Sequence, residues 1–124
     1  MWTEVTQINA PRGRIGASLV AIGSKIFMFG GRDKMLCEFL SGFFVFDTTT
    51  DTWQALDVST YVQPRTGLCA FSTATGVCFF GGYKGGCTGQ GSDVSNQFVF
   101  LDVLGTSKHA PSIMRPGLSV LSAS

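Results

Sequence analysis

The sequence predicts an all-β chain built from two four-stranded antiparallel sheets, and three observations support this prediction. Four apolar residues run into a double glycine at residues 26–31, and the same pattern returns at residues 77–82. Glycine and polar turn residues separate the short apolar segments. Hydrophobic residues make up 44% of the 124 residues and charged residues only 14%, which excludes a disordered composition.

The two copies of the pattern are related by an offset of 51 residues, and no gap is needed over the repeated span. A period near 50 residues is typical of repeat architectures. The double glycine at the end of each apolar run suits a tight exit from a strand, where φ must be positive. The pairs of identical residues at this offset are Trp2 and Trp53, Arg14 and Arg65, Gly16 and Gly67, Phe29 and Phe80, Gly30 and Gly81, and Gly31 and Gly82.

The first copy predicts four strands in chain order. Residues 16–22 and 25–29 form a hairpin, because Gly23-Ser24 between them is a plausible two-residue turn. A longer loop precedes the third strand at residues 43–47. The fourth strand follows a turn rich in threonine and covers residues 52–56.

The second copy predicts strands at residues 67–73, 76–80 and 97–102. The third of these begins about four residues later than the offset requires, because the preceding loop at residues 83–95 is longer and rich in glycine, where insertions cost little. After Asp102 the pattern decays, and no counterpart of the fourth-strand tryptophan is found.

The repeated motif resembles the kelch repeat. In that family, four hydrophobic residues precede a double glycine, an Arg-x-Gly precedes the first strand, and a spaced aromatic pair follows. Here the pair is Phe46 and Trp53, with Asp47 next to the first aromatic residue. The resemblance covers about residues 1–102 and implies two kelch-type blades that form an arc of a β-propeller.

We expect four parts along the chain. Residues 1–15 are the last strand of a preceding blade and a connector, and residues 16–56 are the first kelch blade. Residues 57–110 are the second kelch blade. Residues 111–124 are a tail or the start of a further blade, because Arg115-Pro116-Gly117 resembles a third Arg-x-Gly.

Most residues of the motif are expected to be structural. Trp2 and Trp53 should pack between blades, while Arg14 and Arg65 should donate hydrogen bonds to loop carbonyls between blades. Asp47 should begin a tight turn and accept backbone N–H bonds. The other structural positions are Gly16, Gly30, Gly31, Phe46, Gly67, Gly81 and Gly82.

A protein-binding surface is expected just past each double glycine. The strands alternate in direction, so the loops that follow the second strands emerge on the same side of the blades as the connectors between blades. In kelch proteins this mouth of the channel often contacts the partner, and Arg and Tyr dominate interface energetics. The alternative is that these are solvated loop ends. The candidate partner-binding residues are Arg32, Asp33, Lys34, Tyr83 and Lys84.

Two blades by themselves leave two outer apolar faces bare, and a repeat buries its apolar face only against its neighbour. We therefore expect a fragment of a larger propeller, a chain that associates with itself to complete the propeller, or one that docks onto a partner protein. A permanent structural subunit of a larger assembly is the alternative function.

Catalysis is a weaker alternative. The resemblance includes propeller enzymes of the copper-radical oxidase and sugar mutarotase types, and copper needs His and Tyr ligands. The sequence has one histidine, His109, and two tyrosines. No paired carboxylates or Ser-His-Asp set suggests an active site. We therefore predict no catalytic residues, no metal site and no cofactor.

The net charge and the cysteine spacing indicate the expected partners and the expected compartment of the protein. A formal charge of +1 gives no electrostatic footprint for nucleic acid or anionic lipid, and no apolar run is long enough to span a bilayer. The four cysteines show no Cys-x-x-Cys spacing. Cys69 and Cys78 are expected on adjacent strands as buried thiols of a cytoplasmic protein, and a disulfide framework is the alternative.

Overall fold

The computed structural model describes residues 1–33, 38–56, 62–84, 93–103 and 117–122. Within these ranges, every regular element is a β-strand, which confirms the all-β prediction. The strands, in chain order, are β1 (Ser18–Ile22), β2 (Lys25–Phe29), β3 (Arg32–Asp33), β4 (Glu38–Phe39), β5 (Phe43–Asp47), β6 (Thr52–Leu56), β7 (Cys69–Ser72), β8 (Gly76–Phe80), β9 (Tyr83–Lys84), β10 (Asp93–Val94), β11 (Gln97–Asp102) and β12 (Gly117–Ser122).

The first sheet has the order β1-β2-β5-β6, and all its neighbours are antiparallel. The tight turn at Gly23-Ser24 joins β1 to β2, with Ile22 opposite Lys25. The turn from Thr48 to Asp51 joins β5 to β6, and it places Phe46 directly opposite Trp53. This antiparallel four-stranded sheet is compatible with a kelch blade.

The second sheet repeats this plan with the order β7-β8-β11-β12. Phe80 lies opposite Phe98 in this sheet, as Phe29 lies opposite Phe43 in the first. The inner strands of the two sheets therefore share one register.

The position of β12 differs from the expectation of a tail or the start of a further blade. Residues 117–122 pair antiparallel with β11 over its whole length, from Gln97 opposite Ser122 to Asp102 opposite Gly117. This pairing satisfies backbone groups that would otherwise stay open at the edge of β11. The fourth strand of the second sheet thus comes later in the chain than the repeat predicts.

The N-terminal residues also differ from the expectation. Residues 1–15 form only isolated bridges, including a parallel one between Ile8 and Thr52, instead of a strand that begins at Trp2. Trp2 is fully exposed, so the prediction that it packs between blades is wrong. An aromatic ring is buried only where another surface covers it, and no described strand pairs with residues 1–7.

The hydrophobic core lies between the two sheets. The ring of Phe79, which is fully buried, lies 5.6 Å from that of Phe29 and 5.7 Å from that of Phe43. Phe29 and Phe43 stack on each other at 4.4 Å. The fully buried Val77, Val99 and Leu101 complete the side contributed by the second sheet, so its alternate residues point toward the first. Burial of these apolar side chains is the main attraction between the sheets.

The double glycines have the backbone geometry that the sequence predicts. Gly30 and Gly31 have φ of 80° and 95°, and Gly81 and Gly82 have φ of 80° and 85°. An added Cβ at Gly30 would lie 2.5 Å from the carbonyl oxygen of Arg65. The glycines are therefore needed for both conformation and space.

Most strand limits agree with the sequence analysis. Five strands, β2, β5, β6, β8 and β11, have the predicted limits, whereas β1 and β7 each begin two residues later than predicted. The delay has one cause in both copies, because Gly16 and Gly67 both have φ of 75° and cannot belong to a strand.

Candidate protein-binding surface

Each double glycine leads into a short antiparallel ribbon. The first ribbon pairs β3 with β4, and the second pairs β9 with β10. Single antiparallel bridges tie the ribbons to the connectors, between Ile15 and Arg32 in the first copy and between Thr66 and Tyr83 in the second. Both ribbons thus lie at the end of the sheets where the double glycines are.

An aromatic contact joins the two ribbons. The rings of Phe39 and Tyr83 meet edge to face with their centroids 6.0 Å apart. This contact brings together two pairs of predicted residues, one on β3 and one on β9. The fifth, Lys34, lies outside the described residues. We define the loop surface as Arg12, Arg32, Asp33, Glu38, Phe39, Tyr83 and Lys84.

Polar contacts hold four charged side chains of the loop surface. Arg12 donates to Asp33 Oδ2 at 3.3 Å and to Glu38 Oε2 at 2.9 Å. Lys84 Nζ donates to Gln63 Oε1 at 2.9 Å. Both Arg12 and Glu38 are exposed, so these ion pairs contribute little to stability. They set the positions of charges that face the solvent.

Three residues of this surface were not predicted: Arg12, Glu38 and Phe39. The sequence held a sign of the first two, because Arg12 is a cation in the connector and Glu38 is an anion in the loop beyond the double glycine. Their contact depends on the bridge between Ile15 and Arg32, which the sequence does not show.

Arg14 lies beneath the loop surface. Its Nη1 donates to the carbonyl oxygen of Gly30 at 3.2 Å, and its guanidinium carbon lies 5.0 Å from the ring centroid of Phe44. Burial lowers the pKa of Arg14, and the positive charge of Arg12 lowers it further. The arginine thus supports the turn at the double glycine of its own repeat.

Arg65 has the same role in the second repeat and is fully buried. Its Nη1 donates to Gly81 O at 3.0 Å and to Ser95 Oγ at 2.7 Å. Burial lowers its pKa. The expectation of arginine bonds between blades needs correction, since both side chains bond to carbonyls of their own repeat.

Arg65 also links the two sheets, through its backbone carbonyl and the face of its guanidinium. Its carbonyl oxygen accepts a hydrogen bond from Gly31 N at 2.9 Å, and its guanidinium lies 5.9 Å from the ring centroid of Phe29. The Arg65 side chain therefore makes its hydrogen bonds within the second repeat and a cation–π contact with the first sheet.

A cavity of about 390 Å³ opens between the N-terminal connector and the chain that follows β4. Its size is in the range of pockets that bind small groups. The residues that give it a mixed charged and aromatic lining are Arg12, Arg14, Glu38, Phe39 and Phe44. It can accept an amphipathic side chain better than a purely apolar one.

The other motif residues lie away from the loop surface. At the opposite end of the first sheet, Asp47 Oδ1 accepts hydrogen bonds from Thr49 Oγ1 at 2.6 Å and from Thr49 N at 2.9 Å. These two bonds lower the pKa of Asp47. The half-buried Trp53 packs on Phe46 at 5.1 Å, and its Nε1 donates to Gln7 Oε1 at 2.7 Å.

The two described cysteines differ in exposure, although both were expected to be buried. Cys78 is buried, and its burial raises the pKa of the thiol. Cys69 is exposed, so the expectation that it is buried is wrong. Cys37, Cys87 and His109 lie outside the described residues.

In the parts of the chain that the structure covers, no three His, Cys, Asp or Glu residues group as metal ligands. None of the described segments is a helix with the length and apolar character that a membrane crossing requires.

Comparison with known proteins finds relatives for part of the chain. It is 37% identical over 83 residues to N-(sulfonatooxy)prop-2-enimidothioate sulfolyase of Thlaspi arvense, a match that covers 63% of this chain and 23% of that protein. It is 29% identical over 56 residues to Protein ral2 of Schizosaccharomyces pombe, covering 45% of this chain and 9% of that protein. The chain thus spans less than a quarter of either relative.

The family comparison concerns the first sheet. Residues 13–56 match the Kelch motif. This range contains the Arg-x-Gly, the double glycine, the aromatic pair and all four strands of the first sheet. Residues 13–56 are therefore a kelch motif, and they support the assignment of this chain to the kelch-repeat family.

Proposed function

We propose that this chain is a non-enzymatic protein-binding module that contacts its partner through the loop surface. The contact between Phe39 and Tyr83 carries the proposal, because it makes one surface from the ribbons of two repeats. Kelch-repeat proteins typically take part in protein interactions, and this agrees with the proposal.

The composition of the loop surface suits a protein partner. Tyrosine and arginine are enriched among residues that dominate binding energies, and Tyr83 is exposed while Arg32 is partly exposed. Charges of both signs surround the aromatic pair, and such a rim steers a partner of complementary charge. The adjacent cavity gives a partner side chain a place to anchor.

We also propose that the two sheets are successive blades in an arc of a β-propeller, with residues 16–56 as the first blade and residues 57–110 together with β12 as the second. The shared register of the inner strands supports this arrangement. A cytoplasmic location is part of the proposal, and cell fractionation with an antibody to the chain tests it.

The binding proposal is tested with the purified chain as bait. Proteins captured from an extract of its own cells are identified by mass spectrometry, then purified and titrated against the chain. We expect Tyr83→Ala and Lys84→Glu each to weaken binding about tenfold or more, the effect of losing an interface anchor.

The matched control is Lys25→Glu, which changes the same charge at the opposite end of the first sheet. Circular dichroism must show that each variant is folded. A captured protein that binds Tyr83→Ala, Lys84→Glu and Arg32→Glu as tightly as the unchanged chain would contradict the proposal.

A structural subunit of a larger assembly is the second candidate function. Large apolar side chains that remain exposed on the two sheets favour it, including Leu19, Phe71 and Phe80. Such a role predicts that the chain is found in cells only with its assembly. Fractionation by size separates this outcome from a transient interaction.

A catalytic function is the third candidate, and the match to a relative with an enzyme name favours it. Sulfate release from an N-sulfonatooxy imidothioate by the purified chain would support it. Such turnover would replace the proposal of a binding module without enzyme activity.

A further inference from the structure

Each sheet has an outer face that the other sheet does not cover. Side chains alternate along a strand, so residues that do not point into the core lie on this outer face. The N-terminal face, on the first sheet, consists of Leu19, Ile26, Met28, Phe44, Phe46 and Trp53. The C-terminal face, on the second sheet, consists of Cys69, Phe71, Cys78, Phe80, Phe98 and Phe100.

Both outer faces are mainly apolar and expose large side chains, whereas Met28 and Cys78 on these faces are buried. Leu19 is 58% exposed on the N-terminal face, while Phe71 and Phe80 are 47% and 42% exposed on the C-terminal face. Phe98 contacts both of these rings at 6.1 Å, which makes the C-terminal face one continuous aromatic surface. The buried Asp102 also lies on the C-terminal face, because it alternates with Phe98 and Phe100 along β11, and Arg14 lies over the ring of Phe44 on the N-terminal face.

The C-terminal face repeats the core side of the first sheet. Phe29 and Phe43 hold the ring of Phe79 between the sheets. Their counterparts in the repeat are Phe80 and Phe98, which lie opposite each other in the same register. The counterparts of Phe27 and Val45 are Cys78 and Phe100, so each buried position has an apolar equivalent on the open face.

The N-terminal face repeats the core side of the second sheet in the same way. The counterpart of Phe79 is Met28, and that of Val77 is Ile26. Phe44 and Phe46 correspond to the fully buried Val99 and Leu101. The core sides of the two sheets already pack against each other. The two outer faces of the chain are the repeat equivalents of these two core sides.

From this equivalence we propose that two copies of this chain associate head to tail, with the N-terminal face of one copy on the C-terminal face of the other. The new contact continues the interface between the two sheets. It rests on the second candidate function, a structural subunit of a larger assembly. None of its residues belongs to the loop surface, although Phe44 of the N-terminal face also lines the cavity beside that surface.

The contact is heterologous, since each copy contributes a different face. Every added copy leaves one face of each kind open, so the assembly closes as a ring or grows as a filament. Propellers close with about four to eight sheets, which corresponds to about two to four copies of a chain with two sheets.

Sedimentation velocity of the purified chain tests this proposal over a range of concentrations. We expect a mass about two to four times that of the 13.2 kDa chain at the highest concentration. A chain that stays monomeric at every concentration would overturn the proposal.

Two variants test the head-to-tail geometry. Leu19→Asp places a charge on the N-terminal face, and Phe80→Asp places one on the C-terminal face. Each variant alone should be monomeric. An equal mixture should form a heterodimer and nothing larger, because the unaltered N-terminal face of the Phe80→Asp copy meets the unaltered C-terminal face of the Leu19→Asp copy.

The control is Val94→Asp, because Val94 is 88% exposed and lies on neither face. This variant should associate like the unchanged chain. If Phe80→Asp does not fold, Phe71→Asp replaces it on the edge strand of the same face. Homodimers of either single variant, or a mixture that stays monomeric, would contradict head-to-tail association.

Variants of the loop surface and of the outer faces separate partner binding from self-association. Lys84→Glu should weaken binding of the captured partner about tenfold or more and still associate with itself. Phe80→Asp should bind the captured partner like the unchanged chain but should not associate with itself. The two proposals can therefore fail separately.

Discussion

The guanidinium of Arg65 donates a hydrogen bond from Nη1 to the carbonyl oxygen of Gly81 at 3.0 Å, and Arg14 makes the same bond to Gly30 at 3.2 Å. In both repeats an arginine from the connector thus holds the first glycine of the double glycine. The two differ in surroundings, since Arg65 is fully buried and Arg14 is partly exposed.

Replacement of Arg65 by lysine should lower the free energy of unfolding by about 2–3 kcal/mol, the contribution of buried hydrogen bonds to a charged group. Both bonds come from Nη1, at the far end of a side chain whose planar guanidinium lies over Phe29, and the shorter lysine has no planar group to lie over that ring while it reaches Gly81 O and Ser95 Oγ. Urea unfolding followed by circular dichroism measures the change.

Arg14→Lys is the control for this prediction, since it removes the same bond at a partly exposed site. Its loss should be about 1 kcal/mol. Equal losses for the two variants would show that burial of Arg65 is not important.

Replacement of Phe79 by alanine should destabilise the protein by about 3–5 kcal/mol, because a fully buried ring between the two sheets would leave a cavity. Phe71→Ala removes the same atoms from an exposed position and should cost less than about 1 kcal/mol. Thermal unfolding of both variants gives the comparison. A small effect at Phe79 would mean that the sheets do not pack as described.

Replacement of Gly30 by alanine should destabilise the chain by about 2 kcal/mol or more, the cost of backbone strain with a steric clash. The residue has φ of 80°, and a Cβ there would lie 2.9 Å from Leu68 Cδ1. Gly13→Ala is the control, because a Cβ at that position meets nothing within 4 Å. Urea midpoints should separate the two variants, and similar midpoints would count against the tight turn.

Replacement of Asp47 by asparagine should reduce stability at neutral pH and have less effect in acid. Hydrogen bonds from Thr49 lower the pKa of Asp47 in the folded state, so the unfolded chain takes up its proton first as the pH falls. The stabilisation is complete above the unfolded value of about 3.9 and is lost as the pH falls through the lower folded value.

Urea midpoints of the Asp47→Asn variant and the unchanged chain at several acidic and neutral pH values test this prediction. Asp51→Asn, in the same turn, controls for the loss of one negative charge. A difference between Asp47→Asn and the unchanged chain that does not shrink in acid would contradict the assigned role.

Local signals in the sequence determined most of the strands. The apolar run that ends at Phe29, the double glycine and the turn at Gly23 set the inner hairpin, because each depends on backbone preference and on side chains nearby in the chain. The repeat then carried the same arrangement to residues 76–80. The kelch motif at residues 13–56 agrees with this reading.

Only the tertiary structure decided which surfaces cover which residues. Trp2 and Trp53 occupy the same position in the repeat, but Trp53 packs on Phe46 and Trp2 is exposed, because burial depends on a neighbouring surface and not on the residue itself. The contact of Phe39 with Tyr83 and the pairing of β12 with β11 join residues far apart in sequence. Such contacts follow from how the sheets pack, and no local pattern of residues encodes them.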